Sequence, residues 1–171
     1  MEDLELADTQ WPMTYIDHER QIARAVVVDE EGLLCLLQVE RCDEFGQGAF
    51  VETAGGGVEE GETLTEALTR ELREELGAEV EILQKIGTVR DCYNLIHRRN
   101  ISHYYLCRAT AFSERCLTRQ EREDFRLTML RLTWEEAFAA YERCAHLPWG
   151  KLLAAREVPV LRRAKQLQET M

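Results

Sequence analysis

Three glutamates on one helix, Glu71, Glu74 and Glu75, are the residues of this 171-residue chain best placed to do chemistry. They close the stretch TLTEALTRELREEL, where Leu64, Leu68, Leu72 and Leu76 mark the apolar stripe of an amphipathic helix. At roughly 100° per residue, with Leu68 as zero, Glu75 projects at about −20°, Glu71 at about −60° and Glu74 at about −120°. The carboxylates therefore begin inside the apolar stripe and spread over one flank. Like charges three and four residues apart cost a few tenths of a kcal/mol each, and all three acids face the negative end of the helix dipole. Partial burial costs more, because a desolvated carboxylate is stable only when paired or bound to a metal.

Two readings account for such a cluster. In the first it is a solvated acidic face neutralised by Arg70 and Arg73. These project at about −160° and +140°, mostly away from Glu75, so one arginine reaches Glu74 or Glu71 but not all three acids. In the second the cluster holds Mg²⁺ or Mn²⁺, hard cations that take oxygen ligands and keep positions open for water and substrate phosphates.

Gly56, Glu62, Arg70, Glu71, Leu72, Glu74, Glu75 and Gly77 fit the pattern G-x5-E-x7-R-E-U-x-E-E-x-G-U, U being a bulky aliphatic. In this the chain resembles the Nudix hydrolases. The last position is Ala78, smaller than the usual residue, which touches the helix exit and leaves the acids intact. The resemblance implies an α/β fold, an α/β/α sandwich around a mixed sheet. It implies hydrolysis of a nucleoside diphosphate linked to another group, with Glu71, Glu74, Glu75 and the Gly56 carbonyl as metal ligands and Arg70 orienting a carboxylate. Glu62 would support the loop. The general base varies across the family between a box glutamate, such as Glu71 or Glu75, and an acid of a later loop. Here Glu121 is the loop candidate, with Glu123 and Glu114 as contenders.

The elements that must position these residues are also legible. AVVVDEEGLLCLLQVE reads as a hairpin turning at Asp29 to Gly32, followed by a loop CDEFGQG and a short strand from Ala49 to Glu52. Gly55, Gly56 and Gly57 read as a loop. Thr63 with Glu66 forms a capping box, and Gly77 ends the helix. Paired strands at about 79 to 94 and 101 to 111 flank IHRRN. A polar loop, SERCLTRQERED, precedes a strand at Leu127 to Leu132, and Thr133 with Glu136 caps a second helix. From Lys151 the chain is helical in character, with Pro159 expected to break or restart it. Residues 1–20 are read as an extension or edge element, and residues 21–171 as a single domain.

In IHRRN, Arg98 and Arg99 form with His97 the one compact basic cluster, suited either to gripping a phosphate or to solubilising a hairpin tip. Tyr93 lies where some Nudix members carry substrate-selecting residues. Tyr93, Tyr104, Tyr105, Phe50 and Trp134 are candidates to stack on a base, with core packing the alternative.

A net charge of −11 repels nucleic acid polymers and anionic lipid, so an anionic ligand needs local cationic help. No apolar run reaches the ~20 residues of a membrane span. The acidic start MEDLELADTQ lacks the features of a secretory signal, and the six cysteines form no C-x-x-C pair. Free thiols in a cytoplasmic protein are the expectation. The partner is expected to be a small nucleotide diphosphate derivative. A homodimer is compatible with the sequence, which carries no feature that demonstrates one. The VETAGGG run has the flavour of the hydrolases of ADP-ribose and other nucleotide sugars. Nucleoside triphosphates and dinucleoside polyphosphates are alternatives, as is a non-catalytic nucleotide-binding module. An isopentenyl diphosphate isomerase would want a catalytic Cys and upstream metal-binding His residues that are not arranged here.

Overall fold

The structure, a computed structural model, describes residues 3–170. Alternation decides how its central strand serves two layers. In β2 (His18–Val28), Ala23, Ala25 and Val27 point to one face, while Val26 and Val28 point to the other. The first set packs against Ala67, Leu68, Leu72 and Leu76 of α1 (Leu64–Leu76). The second packs against α3 (Trp134–Cys144) and α4 (Pro148–Glu169). The result is an α/β/α sandwich.

The sheet also contains β1 (Leu4–Leu6), β3 (Leu34–Asp43), β4 (Gly46–Glu52), β5 (Ala54–Gly57), β6 (Ala78–Tyr93), β7 (Arg98–Phe112) and β8 (Thr128–Leu132). Its order is β1-β6-β7-β2-β3-β4, with β5 added to β2 and β8 to β3. The sheet is mixed, since β1 runs parallel to β6 and β2 parallel to β7 while the other pairs are antiparallel. Residues 4–6 thus form an edge strand, and β2 begins at His18, ahead of position 21. Among the described residues no helix is long and apolar enough to cross a membrane.

One feature of β2 creates the cleft. Its end, Val27 and Val28, pairs with β3, but its middle, Ile22 to Ala25, pairs with β5. Strand β3 diverges there and continues against β4 and β8, opening a gap in the sheet.

Four sequence expectations need correction. CDEFGQG is not a loop: β3 and β4 pair as far as Asp43 and Gly46, leaving only Glu44 and Phe45 to turn. Gly55 to Gly57 are strand residues, because a chain without side chains can lie against both β2 and α1. The polar stretch after β7 contains a short helix, α2 (Arg119–Glu123), capped by Thr118 and Glu121. Helix α4 runs through Pro159 without a break. Proline removes the N–H that would serve the Ala155 carbonyl, but Ala155 is exposed, where water can serve it. Burial of Leu153, Val160, Leu161 and Ala164 on both sides of the proline outweighs the penalty of about 3 kcal/mol.

Candidate active site

Helix α1 is held at both ends by its own sequence. The Thr63 Oγ1 accepts the Glu66 N–H at 3.3 Å, and the Glu66 carboxylate accepts the Thr63 N–H at 2.8 Å. At the other end Gly77, with φ of 67°, donates its N–H to the Arg73 carbonyl at 3.0 Å. Between these caps the acids take different environments. Glu75, at −20° on the wheel, is 9% exposed, and its Oε2 accepts the Gly55 N–H at 2.7 Å. Burial first, then the nearby Glu71 charge, raises its pKa to about 8.

Glu71 lies against β5 at Gly56. A Cβ on Gly56 would stand 2.4 Å from its Oε1, so only glycine lets the carboxylate approach the strand. Burial raises the Glu71 pKa although Arg70 opposes the shift. Arg70 is the clamp of this region. Its Nε and Nη2 bond both oxygens of Glu62 at 2.7 and 2.9 Å, and Nη1 reaches Glu71 at 2.8 Å and Glu74 at 3.4 Å. Nη2 also bonds the Gly57 carbonyl at 3.1 Å, tying α1 to β5. One arginine thus reaches both Glu71 and Glu74 but not Glu75, because a long side chain at about −160° folds back along the helix flank. Arg73 turns outward to Glu79.

Glu71, Glu75, Gly56 and Glu121 line a cleft of about 470 Å³ in the sheet gap. This is ample for a small ligand. Glu121 spends one carboxylate oxygen on the Thr118 N–H at 2.7 Å, leaving the other free. Glu74 does not line the cleft and is 39% exposed in its side chain. Glu123 is exposed and paired with Arg119, and Glu114 is also exposed and outside the cleft. Among the described residues no group of three or more His, Cys, Asp or Glu side chains converges as a metal cage. Glu71 and Glu74 are bonded by Arg70, and Glu75 by the Gly55 N–H.

The donors at the cleft nevertheless suit a hard cation. They are oxygens only, and Glu75 is desolvated with a single hydrogen bond beside a second raised carboxylate. A divalent ion would relieve the two carboxylates together.

Arg98 lines the cleft, its guanidinium 5.7 Å from the centre of the Tyr93 ring. Arg99 projects to the opposite strand face, near Glu19 at 3.8 Å, and does not line the cleft. Tyr93 is 2% exposed and forms part of the floor, its hydroxyl accepting from Arg156. Tyr104, Tyr105 and Phe50 are core residues, and Trp134 packs at the edge of the core on the α3 side. The other aromatic cleft residues are Phe45, Phe125 and Trp149. Arg41 sits between them, 4.6 Å from the Trp149 ring centre and 5.3 Å from that of Phe125. Arg20, Arg24, Arg41, Asn100 and Trp149 were not singled out from the sequence. The alternation of Arg20, Ile22 and Arg24 is the available signal, and only the pairing of β2 with β7 gives it meaning.

Residues 18–143 match the NUDIX domain family model. The chain belongs to the Nudix family. A stretch of 50 residues is 52% identical to a nucleoside triphosphatase, NudI, of Enterobacter sp. (strain 638), the match spanning 29% of this chain and 33% of that protein. Among solved structures, the E. coli ORF135 protein superposes with a TM-score of 0.57 at 24% identity, covering 88% of this Nudix chain and 91% of its own. A MutT protein from Methanosarcina mazei Go1 gives 0.59 at 16% identity, over 92% and 99% of the two chains. A NUDIX hydrolase from Nitrosomonas europaea gives 0.59 at 16%, over 72% and 78%. These likenesses establish the Nudix fold.

Proposed function

We propose that this Nudix protein hydrolyses a phosphoric anhydride bond of a nucleoside triphosphate, with a divalent cation held at Glu75 and Glu71. The observation that carries the reading is the buried Glu75 carboxylate, fixed by the Gly55 N–H beside Glu71 in a cleft of substrate size. The triphosphate, in place of a nucleotide sugar, is favoured by the local identity to the NudI triphosphatase.

Mg²⁺, or Mn²⁺ in its place, would supply charge neutralisation of the phosphates and acidify bound water. The chain's own residues do the rest. Glu121 faces Glu71 and Glu75 and has one carboxylate oxygen free to take a proton from the attacking water. The water oxygen bonds phosphorus as the bridging P–O bond breaks, and the leaving phosphate departs with the bond's electron pair. Arg70 positions Glu71 through its clamp on Glu62 and Gly57.

The test is a panel of nucleoside triphosphates, nucleotide sugars and dinucleoside polyphosphates assayed with and without Mg²⁺, with products identified by mass. Release of nucleoside monophosphate plus pyrophosphate, or of nucleoside diphosphate plus phosphate, from a triphosphate only with metal is the expected outcome. Preferential turnover of a nucleotide sugar would overturn the substrate assignment, and turnover unaffected by Glu75→Gln would overturn the site.

A further inference from the structure

Across β5 from the carboxylates, the cleft has a second pole of opposite charge. Successive β5 residues face opposite sides, so a Cβ on Gly56 would meet Glu71 whereas one on Gly57 would meet the Arg20 guanidinium at 2.4 Å. The parallel register of β2 and β7 then sets Arg20 beside Asn100, with Arg98 two residues away on the same face. All three line the cleft.

Their unused bonding capacity is the notable point. Arg24 is near Glu52 at 3.7 Å, and Arg156 pairs with Glu157 at 2.8 Å and approaches Glu52 and Asp91 at 3.5 and 3.6 Å. Among the described residues, neither Arg20 nor Arg98 joins any ion pair. The Nε of Arg98 is buried without a hydrogen-bond partner. Asn100, 2% exposed, has an amide oxygen in the same condition. Burial first, then the charge of Arg20, pulls the Arg98 pKa below its ordinary value. Two unpaired guanidiniums held close in a chain of net charge −11 repel each other, and an anion between them removes that cost.

We infer that Arg20 and Arg98, flanking Asn100, form a phosphate subsite that needs no metal and holds one phosphate group of the nucleoside polyphosphate, outside the group engaged at Glu71 and Glu75. Guanidinium forks match the tetrahedral oxygens of phosphate, and the unpaired Asn100 amide oxygen beside them can accept from a phosphate hydroxyl or from a water that bridges to the phosphate. The inference deepens the proposed function and rests on it for the identity of the nucleotide. Its substrate consequence is that a polyphosphate chain, anchored at both poles, is preferred to a diphosphate that ends in an uncharged sugar.

The experiment uses inorganic pyrophosphate as probe, titrated calorimetrically into the metal-free protein in EDTA at low salt. Wild type binds; Arg20→Gln and Arg98→Gln each weaken binding about tenfold, as expected for loss of a charge-assisted pair. Arg98→Lys retains part of the affinity and controls for folding. Arg99→Gln, which removes the same charge outside the cleft, leaves binding unchanged. Glu75→Gln keeps pyrophosphate binding while losing turnover, so failure of the hydrolase reading is distinguishable from failure of the subsite. No binding by wild type, or equal weakening by Arg99→Gln, overturns the subsite.

Discussion

The Glu75 carboxylate accepts the Gly55 N–H at 2.7 Å, joining the last turn of α1 to β5 twenty residues earlier in the chain. Gly55 has φ of +133°, and a Cβ there would stand 2.1 Å from the Ala23 carbonyl oxygen on β2. Gly55→Ala therefore has no low-energy solution: the backbone leaves its φ, or β5 leaves β2. Destabilisation of about 2 to 4 kcal/mol is expected in urea unfolding, with activity lost in the same variant. A stability within 0.5 kcal/mol of wild type would contradict the geometry.

The raised pKa of Glu75 makes a pH prediction for the metal-free protein. Folding lifts the group from 4.5 to about 8, so the folded state holds a proton that the unfolded state gives up. That stabilisation is complete below pH 4.5 and disappears as pH rises through about 8. Thermal scans in EDTA should show melting temperature falling across this window, and added Mg²⁺ should raise it more at pH 8 than at pH 5. A flat profile with no Mg²⁺ response would remove the cation from Glu75.

The four cleft and helix acids should not be equivalent. Glu75→Gln and Glu71→Gln are expected to lower kcat by at least about 10³, and Glu121→Gln by about 10² with the Thr118 cap retained. Glu74, turned to Arg70 and outside the cleft, should cost no more than about tenfold. A Glu74 variant as damaged as Glu75→Gln would mean the helix flank rearranges on binding.

Beneath the cleft, Arg156 is 1% exposed and bonds Glu157, while Thr53 and Tyr104 donate hydroxyl hydrogens to the same Glu157 carboxylate. Arg156→Met strands Glu157 and Asp91 without their cation and should cost about 3 to 5 kcal/mol in denaturant unfolding. Adding Glu157→Leu should recover part of the loss. If the double variant is worse than the single, the ion pair is not the source of the cost.

Cysteine labelling offers an independent check on the layers. Burial pushes Cys35 to about 11 and Cys107 to about 12, whereas Cys42 and Cys116 are exposed. Iodoacetamide at pH 8 should modify Cys42 and Cys116 in the native protein and leave Cys35 and Cys107 untouched, read by peptide mass mapping.

Local signals were legible wherever one segment carried them whole. Thr63 with Glu66 and Thr133 with Glu136 announce their helices because a capping box is completed within four residues. The same box at Thr118 and Glu121 carries no helix signal of its own, since a helix of one turn in a polar run shows no apolar period. The glycines of β5 carry no strand propensity, and only the bare surfaces of β2 and α1 make that strand. Pro159 argues for a break, and packing on both sides of it decides otherwise.

By itself the sequence determined the amphipathic helix, its caps, the acidic trio and the family signature, all of them properties of spacing along one segment. The tertiary structure alone decided that Glu75 turns to Gly55 while Glu74 turns to Arg70, and that Arg20 meets Arg98 and Asn100. Those outcomes depend on strand register and on the gap where β3 leaves β2. Register is a contest among pairings far apart in the chain, so no short stretch of residues encodes it.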